Sequence, residues 1–215
     1  MSEEINLRIT GVEPAYEIAG VRKLALQTTG GAIPVVFHAA PNARRAALCV
    51  SGAIGGYDGP SLLYARLGPE LVREGVSVAR IDYRAPNEFG ECVLDTLAAL
   101  SFLRGTEHQR VALMGHSFGG AVAINAGTLS PAVATVIALS SQLAGAHVIG
   151  DLAPRPLLLI HGTADAILSH ESSQVLFERA KEPKEVKFFA GADHRLSQAA
   201  DEVYELVRRW VLEKT

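Results

Sequence analysis

Residues 115–119 read Gly-His-Ser-Phe-Gly, which places Ser117 in the pattern G-x-S-x-G. The pattern follows the apolar run Val111–Met114 and precedes small residues with a helical period. At a sharp strand-to-helix turn a serine stands clear of the backbone, and flanking glycines avoid the collisions that Cβ atoms would make there. This context predicts that Ser117 is a nucleophile for acyl transfer. The alternative is a glycine-rich turn whose serine only caps the helix.

A serine hydroxyl needs a base that takes its proton and an acid that orients the base. Asp165 follows the apolar run Leu157–Ile160, and His194 follows the run Val186–Phe189. The order serine, aspartate, histidine is the one that accompanies this serine pattern. Ligand sites of parallel sheets lie outside the carboxyl ends of the strands, so these residues are expected to meet at one edge. We therefore predict Ser117, Asp165 and His194 as the catalytic set.

Other residues could fill two of these roles. Asp193 is the nearest alternative acid, but adjacent side chains rarely point at each other as an acid and its base must. Asp165, in a loop before a helix, could also act only as a cap. His161 could form a hydrogen bond within its own loop, and His116 is expected to line the site without being the base. The position after the last strand favours His194 over the remaining histidines, which are His38, His108, His147 and His170.

Acyl transfer also requires N–H donors for the charge that develops on the carbonyl oxygen. The backbone N–H of Phe118, directly after the serine, is expected to be one of them. The glycine-rich residues 51–56 follow the apolar run Ala46–Val50, and such a loop lets the backbone approach a substrate. Ala53 is our first choice for the second N–H, and Ile54 is the alternative. The candidates for the substrate pocket are Ile54, His116 and Leu143.

The elements that would position these residues alternate along the chain. Short, near-continuous apolar runs are typical of strands covered on both faces, and longer segments of helical period separate them. This alternation predicts an α/β fold, with a mostly parallel sheet of about seven or eight strands and helices on both faces. The predicted strands lie at Leu7–Val12, within Val21–Ala40, and at Ala46–Val50, Val76–Ile81, Val111–Met114, Thr135–Leu139, Leu157–Ile160 and Val186–Phe189.

The predicted helices lie between these runs. Phe89–Leu103 and Ser197–Val211 each carry a single apolar stripe that can pack on a sheet, and Ser172–Ala180 predicts a shorter helix. Ser61–Glu74 is also helical in character, and Pro69 is expected to kink it or to start a second piece.

The composition is ordinary for a globular enzyme, with 215 residues of which 48% are hydrophobic and 20% charged. We expect one domain spanning residues 1–215. A formal net charge of −3 gives no reason to expect nucleic acid or an anionic membrane as a partner. The acidic start Met1–Glu4 lacks a hydrophobic signal region, and no apolar stretch is long enough to cross a bilayer, so a cytoplasmic protein is expected.

Cofactor and metal sites are not indicated. The two cysteines, Cys49 and Cys92, do not form a disulfide framework for a chain of this size, and the histidines show no H-x-x-x-H pairing. We therefore expect no cofactor, no metal, and a small acyl compound as the partner. The sequence does not indicate the oligomeric state.

Residues 115–120, 159–165 and 191–194 resemble the α/β-hydrolase superfamily, and the resemblance extends over nearly the whole chain. Among its branches the chain is most similar to the lidless enzymes related to dienelactone hydrolases and to prolyl-oligopeptidase-type catalytic domains. The short segment between Leu139 and Leu157 leaves no room for a cap domain. Two positions differ: dienelactone hydrolases proper carry a cysteine where Ser117 stands, and many relatives carry His-Gly at residues 51–52, which are Ser-Gly here.

The resemblance implies hydrolysis of esters, thioesters, lactones or peptides through an acyl-enzyme, without a cofactor. We expect a serine hydrolase that cleaves a small ester or thioester through Ser117, with carboxylesterase as the first choice. The alternatives are a thioesterase or peptidase of the same fold, a non-hydrolytic enzyme such as a haloperoxidase-like enzyme or a lyase, and a non-catalytic binding module. The presence of serine, aspartate and histidine argues against the binding module, since such modules often lose one of them.

Overall fold

The computed structural model describes residues 7–18 and 20–215, which form one nine-stranded sheet with helices on both faces. The strands are β1 (Ile9–Ile18), β2 (Val21–Thr28), β3 (Gly31–His38), β4 (Arg45–Val50), β5 (Val76–Ile81), β6 (Arg110–His116), β7 (Val133–Leu139), β8 (Leu157–Gly162) and β9 (Lys184–Phe189). The helices are α1 (Leu63–Arg73), α2 (Phe89–Gly105), α3 (Phe118–Leu129), α4 (Glu171–Arg179) and α5 (Ala200–Lys214).

The order of strands across the sheet is β1-β2-β3-β5-β4-β6-β7-β8-β9. All pairs from β5 to β9 are parallel, whereas β1, β2 and β3 pair antiparallel and join the sheet at β5. The central strands are buried along almost their whole length because helices cover both faces. Helices α2, α3 and α4 contribute to the core on one face, and α1 and α5 contribute to the core on the other.

The sheet has nine strands, where the sequence predicted about seven or eight. The segment Val21–Ala40 supplies two of them, because it folds back at residues 29–30 into the hairpin of β2 and β3. The first strand continues to Ile18, well beyond the predicted Leu7–Val12. Most of its residues are exposed, so it carries little of the apolar pattern from which strands are recognised.

The predicted helices are present with small shifts. Helix α5 begins at Ala200, after a 3₁₀ turn at Ser197–Ala199, rather than at Ser197. Pro69 does not start a second piece, since α1 runs from Leu63 to Arg73 with Pro69 inside it. The ring of Pro69 is exposed, and on this face of the helix the carbonyl that loses its N–H partner can be hydrated.

The segment between β7 and β8, residues 140–156, holds one short 3₁₀ turn at His147–Leu152, which packs against α3. It contains no α-helix that could cover the carboxyl edge of the sheet. Across residues 7–18 and 20–215, no helix is long and apolar enough to span a membrane.

Both cysteines are buried and unbridged, Cys49 in β4 and Cys92 in α2. Burial raises the pKa of each thiol to about 12. The neighbouring guanidinium of Arg80 favours the Cys49 thiolate but does not offset this cost.

Candidate active site

Ser117 lies between the end of β6 and the start of α3, with φ 59° and ψ −122°. This is a left-handed region that a residue with a side chain rarely adopts, so the turn is strained. Backbone hydrogen bonds hold it: the N–H of Ser117 donates to the carbonyl of Leu139 at 2.8 Å, and the carbonyl of Ser117 accepts from the N–H groups of Gly120 at 3.0 Å and Gln142 at 3.4 Å. The backbone of Ser117 is therefore held both by the end of β7 and by the first turn of α3.

The glycines around the serine are required by close packing. A Cβ atom at Gly115 would lie 1.9 Å from the carbonyl oxygen of Gly119, and one at Gly119 would lie 2.1 Å from that of Ser51. Neither glycine has a positive φ. The G-x-S-x-G pattern thus reflects the lack of space within the serine turn at Gly115 and between the turn and the loop after β4 at Gly119, rather than an unusual backbone conformation of the two glycines.

Asp165 lies in the loop after β8, and its side chain is fully buried. One carboxylate oxygen, Oδ2, lies 2.7 Å from Nδ1 of His194, which follows β9. The other, Oδ1, accepts the backbone N–H groups of Ile167 at 2.8 Å and Leu168 at 2.9 Å. Burial by itself would raise the pKa of Asp165, but the N–H of Leu168, the His194 ring and the N–H of Ile167 outweigh it and hold the pKa below its usual value. The carboxylate is therefore ionised, and with Nδ1 of His194 donating to it, Nε2 is left to accept a proton.

A second histidine contacts the same carboxylate. Nε2 of His161, at the end of β8, lies 3.0 Å from Oδ2 of Asp165 and 3.1 Å from the carbonyl of Leu168. Both partners are acceptors, so Nε2 carries the proton, and Nδ1 accepts from the Ser173 hydroxyl at 2.7 Å. Burial lowers the pKa of His161, which keeps the ring neutral. The sequence suggested a hydrogen bond within the loop but missed the contact with the acid, for which the only signal was the separation of four positions.

His116, the residue before the serine, contacts the backbone of His194. Nε2 of His116 lies 2.8 Å from the carbonyl of His194, and the two rings are 4.7 Å apart at their centroids. Burial lowers the pKa of His116 to about 4, so the ring is neutral and its N–H donates to that carbonyl. We expected His116 to line the site, and the structure gives it this supporting contact.

Asp193, the alternative acid, has other partners. Its Oδ1 accepts the backbone N–H of Ser197 at 2.9 Å, at the start of the 3₁₀ turn before α5. This hydrogen bond is the main cause that holds the pKa of Asp193 below its usual value. Asp193 therefore binds the start of this 3₁₀ turn, and Asp165 is the carboxylate that His194 contacts.

The loop after β4 lies beside the serine. A Cβ atom at Gly52 would be 3.9 Å from the Cβ of Ser117, and the N–H of Gly55 closes a turn on the carbonyl of Gly52 at 3.1 Å. Within the described ranges, the N–H groups of Ala53 and Ile54 in this turn have no hydrogen-bond partner. The N–H of Phe118 is the first of α3 and so has no carbonyl four residues earlier within the helix.

Two side chains from the end of β5 hold this loop in place. Asp82 Oδ1 accepts the N–H of Gly56 at 2.9 Å, and the hydroxyl of Tyr83 donates to the carbonyl of Ser51 at 3.1 Å. Neither contact was predictable from the sequence, because neither residue belongs to a recognisable motif. The two pocket candidates on the loops are accessible: Ile54 is 98% exposed and Leu143 is 36% exposed.

The chain is similar to known hydrolases in sequence and in fold. The sequence profile of the dienelactone hydrolase family matches residues 71–208. The uncharacterized protein YfhR of Escherichia coli strain K12 is 28% identical, in a match that covers 58% of this chain and 55% of YfhR. The chain thus spans about half the length of the curated relatives it matches.

Solved structures share the fold over nearly the whole chain. A dienelactone hydrolase from Anabaena variabilis superposes with a TM-score of 0.79 at 18% identity, covering 91% of this chain and 99% of the other. The esterase domain of a Rhodothermus marinus protein gives 0.73 at 23% identity, with 90% and 98% covered. An α/β serine hydrolase without a lid from Xanthomonas campestris gives 0.69 at 16% identity, with 90% and 96% covered.

Proposed function

The chain belongs to the dienelactone hydrolase family, and we propose that it is a serine hydrolase that cleaves a small ester through an acyl-enzyme on Ser117. The observation that carries this proposal is the 2.7 Å contact between Nδ1 of His194 and the buried, ionised Asp165, at the sheet edge that also presents the strained serine turn. Family membership supports hydrolysis, and the serine in place of a cysteine supports ester chemistry through an oxygen nucleophile.

In the first half-reaction, Nε2 of His194 takes the proton of Ser117 Oγ while Oγ attacks the carbonyl carbon. The negative charge that forms on the carbonyl oxygen is bound by the N–H groups of Phe118 and Ala53, with Ile54 as the alternative donor in the same turn. Asp165 stabilises the imidazolium. His194 then gives its proton to the leaving alkoxide oxygen, the C–O bond of the ester breaks, and the alcohol departs.

In the second half-reaction, water takes the place of the alcohol. His194 removes a proton from the water as its oxygen attacks the acyl carbon, and the same N–H groups bind the second oxyanion. The bond between Ser117 Oγ and the acyl group then breaks, Oγ recovers its proton from His194, and the acid is released. No step in this cycle requires a group beyond the chain, the ester and water.

The test is labelling with a fluorophosphonate, which reacts with an activated serine and is read by intact mass. The wild type should gain a single adduct, Ser117→Ala should gain none, and Ser101→Ala, which changes an exposed serine on α2, should label like the wild type. Hydrolysis of p-nitrophenyl acetate should also begin with a burst of one p-nitrophenol per active chain if an acyl-enzyme accumulates. An adduct that persists in folded Ser117→Ala, or no adduct on the folded wild type, would overturn the proposal.

A further inference from the structure

Several large apolar side chains are exposed on the loops at the carboxyl edge of the sheet. Ile54 is 98% exposed, Ile167 72%, Leu62 55% and Leu143 36%. Exposed apolar residues are ordinary when they are scattered, but a group of them around one site marks a surface that binds something apolar.

Two of these residues are tied to the serine. Ile54 lies in the turn whose Gly52 stands beside Ser117. Leu143 directly follows Gln142, whose backbone N–H lies 3.4 Å from the carbonyl of Ser117. One residue therefore comes from the loop after β4 and the other from the loop after β7, on strands that both pair with β6.

The other two are tied to the acid and the base. The backbone N–H of Ile167 donates to Oδ1 of Asp165 at 2.8 Å. Leu62 follows Ser61, whose hydroxyl donates to the carbonyl of Arg195 at 2.8 Å, directly after His194 in the chain. The four apolar side chains thus come from the loops after β4, β7 and β8, which hold or contact the proposed catalytic residues and their chain neighbours.

The sequence around these residues is uncharged. Within two positions of Ile54, Leu62, Leu143 and Ile167, the only charged residue is Asp165, and its side chain is fully buried. The exposed apolar residues of β1 differ in this respect, because Val12 and Tyr16 lie next to the acidic residues Glu13 and Glu17. The short segments that carry these four side chains therefore offer no exposed charge of their own to bind a charged substrate.

We propose that Ile54, Leu62, Leu143 and Ile167 form an apolar collar that binds the hydrocarbon part of a dissolved, uncharged ester. The inference rests on the proposed function and assigns its substrate class: esters with a hydrocarbon chain or ring long enough to reach from Ser117 to the collar. Each methylene that leaves water on the collar contributes free energy of transfer to binding. The guanidinium of Arg195, which is exposed and follows His194 in the chain, would instead favour an ester that carries a carboxylate.

The first test compares kcat/KM across two series, p-nitrophenyl esters from acetate to octanoate and alkyl acetates of increasing alcohol length. We expect kcat/KM to rise by about twofold for each added methylene in one of the two series, below the fourfold that full burial would give. Ile167→Ser and Leu143→Ser should lose activity increasingly as the chain lengthens. Leu129→Ser, which changes an exposed leucine at the end of α3, is the matched control and should keep the wild-type slope.

Three outcomes would overturn the collar: flat profiles in both series, a higher kcat/KM for a carboxylate-bearing ester than for its uncharged analogue, or a rate that jumps only above the solubility limit. The last would indicate action at a lipid surface. Binding to Ser117→Ala, measured by calorimetry with ethyl hexanoate against ethyl acetate, separates the two proposals. If the hexanoate binds more tightly but the wild type takes no fluorophosphonate, the collar is supported and the hydrolase proposal is overturned. If the wild type is labelled but the two esters bind equally, the hydrolase proposal is supported and the collar is overturned.

Discussion

Asp165 lies between two histidines that contact the same carboxylate oxygen, and their surroundings differ. His194, at 2.7 Å, has a side chain that is 15% exposed, and its Nε2 is the nitrogen left for a proton. His161, at 3.0 Å, is fully buried, and Ser173 and Leu168 occupy its remaining hydrogen-bonding capacity. A histidine that gains and loses a proton in each cycle needs a free nitrogen and a partner for the charged form. In the proposed mechanism, His194 is therefore the base, and His161, on the buried side of Asp165, is a positioning residue.

The largest expected loss of activity comes from replacing the carboxylate of Asp165, which both histidines contact. Asp165→Asn keeps the shape of the side chain but replaces a carboxylate oxygen, so Nδ1 of His194 can no longer be held as the donor. We expect kcat for p-nitrophenyl acetate to fall by roughly 10⁴-fold, the scale of the same change in a serine protease of known mechanism. A fall of less than tenfold in folded protein would mean that Asp165 does not orient His194.

The next effect tests the buried histidine. His161→Leu removes the N–H that Asp165 accepts, so the carboxylate is held less well. We expect kcat to fall by about 10- to 100-fold, the scale known for residues that orient metal ligands from the outside. KM should change little, because His161 does not face the substrate. His161→Gln can replace the N–H donor and should recover most of kcat. If Gln and Leu lowered kcat equally while both proteins stayed folded, His161 would be a packing residue only.

A smaller effect is expected one contact further out. Ser173→Ala removes the hydroxyl that donates to Nδ1 of His161 and leaves that nitrogen buried without a partner. The free energy of unfolding should fall by about 1 to 3 kcal/mol, measured by urea denaturation, with a loss of kcat smaller than that of His161→Leu. If Ser173→Ala lost more kcat than His161→Leu, Ser173 could not be acting on Asp165 through His161.

The smallest effect concerns stability and pH. The pKa of His161 is lower in the folded chain than its value of about 6.5 in an unfolded one, so acidification favours protonation of the unfolded state. The stabilisation is present above about pH 6.5 and is lost as the pH falls towards the folded pKa. Replacing this group in His161→Gln should reduce the loss of stability between pH 7 and 5, compared by urea denaturation. Burial also lowers the pKa values of His116 and His38 to about 4. These two residues should therefore contribute equally to the loss of stability at low pH in the wild type and in His161→Gln.

The sequence predicted the parts of the fold that are buried and regular. Strands β4 to β8 were visible because continuous apolar runs are needed where helices cover both faces of the sheet. The end of β1 was not predicted, because an exposed edge strand needs no continuous apolar run. The sequence left two outcomes open at Pro69, a kink or a second helical piece, and the second is wrong because α1 runs through this residue.

For the site, the order of serine, aspartate and histidine along the chain predicted which loops hold them, and Asp165 and His194 lie at hydrogen-bond distance. The contact of His161 with Asp165 and the contacts of Asp82 and Tyr83 could not be foreseen. They depend on where the loops after β5 and β8 turn, and no spacing rule in the sequence fixes those turns.

The burial of Cys49 and Cys92 has a practical consequence for covalent chemistry on this protein. A thiol with a pKa of about 12 is ionised to only about one part in 10⁵ at pH 7, and the thiolate is the form that reacts. Alkylating reagents and mild oxidants should leave both native cysteines unmodified. A single cysteine placed on the surface, for example by Leu129→Cys, would then be the one position that takes a maleimide dye, without any need to remove the two natural thiols.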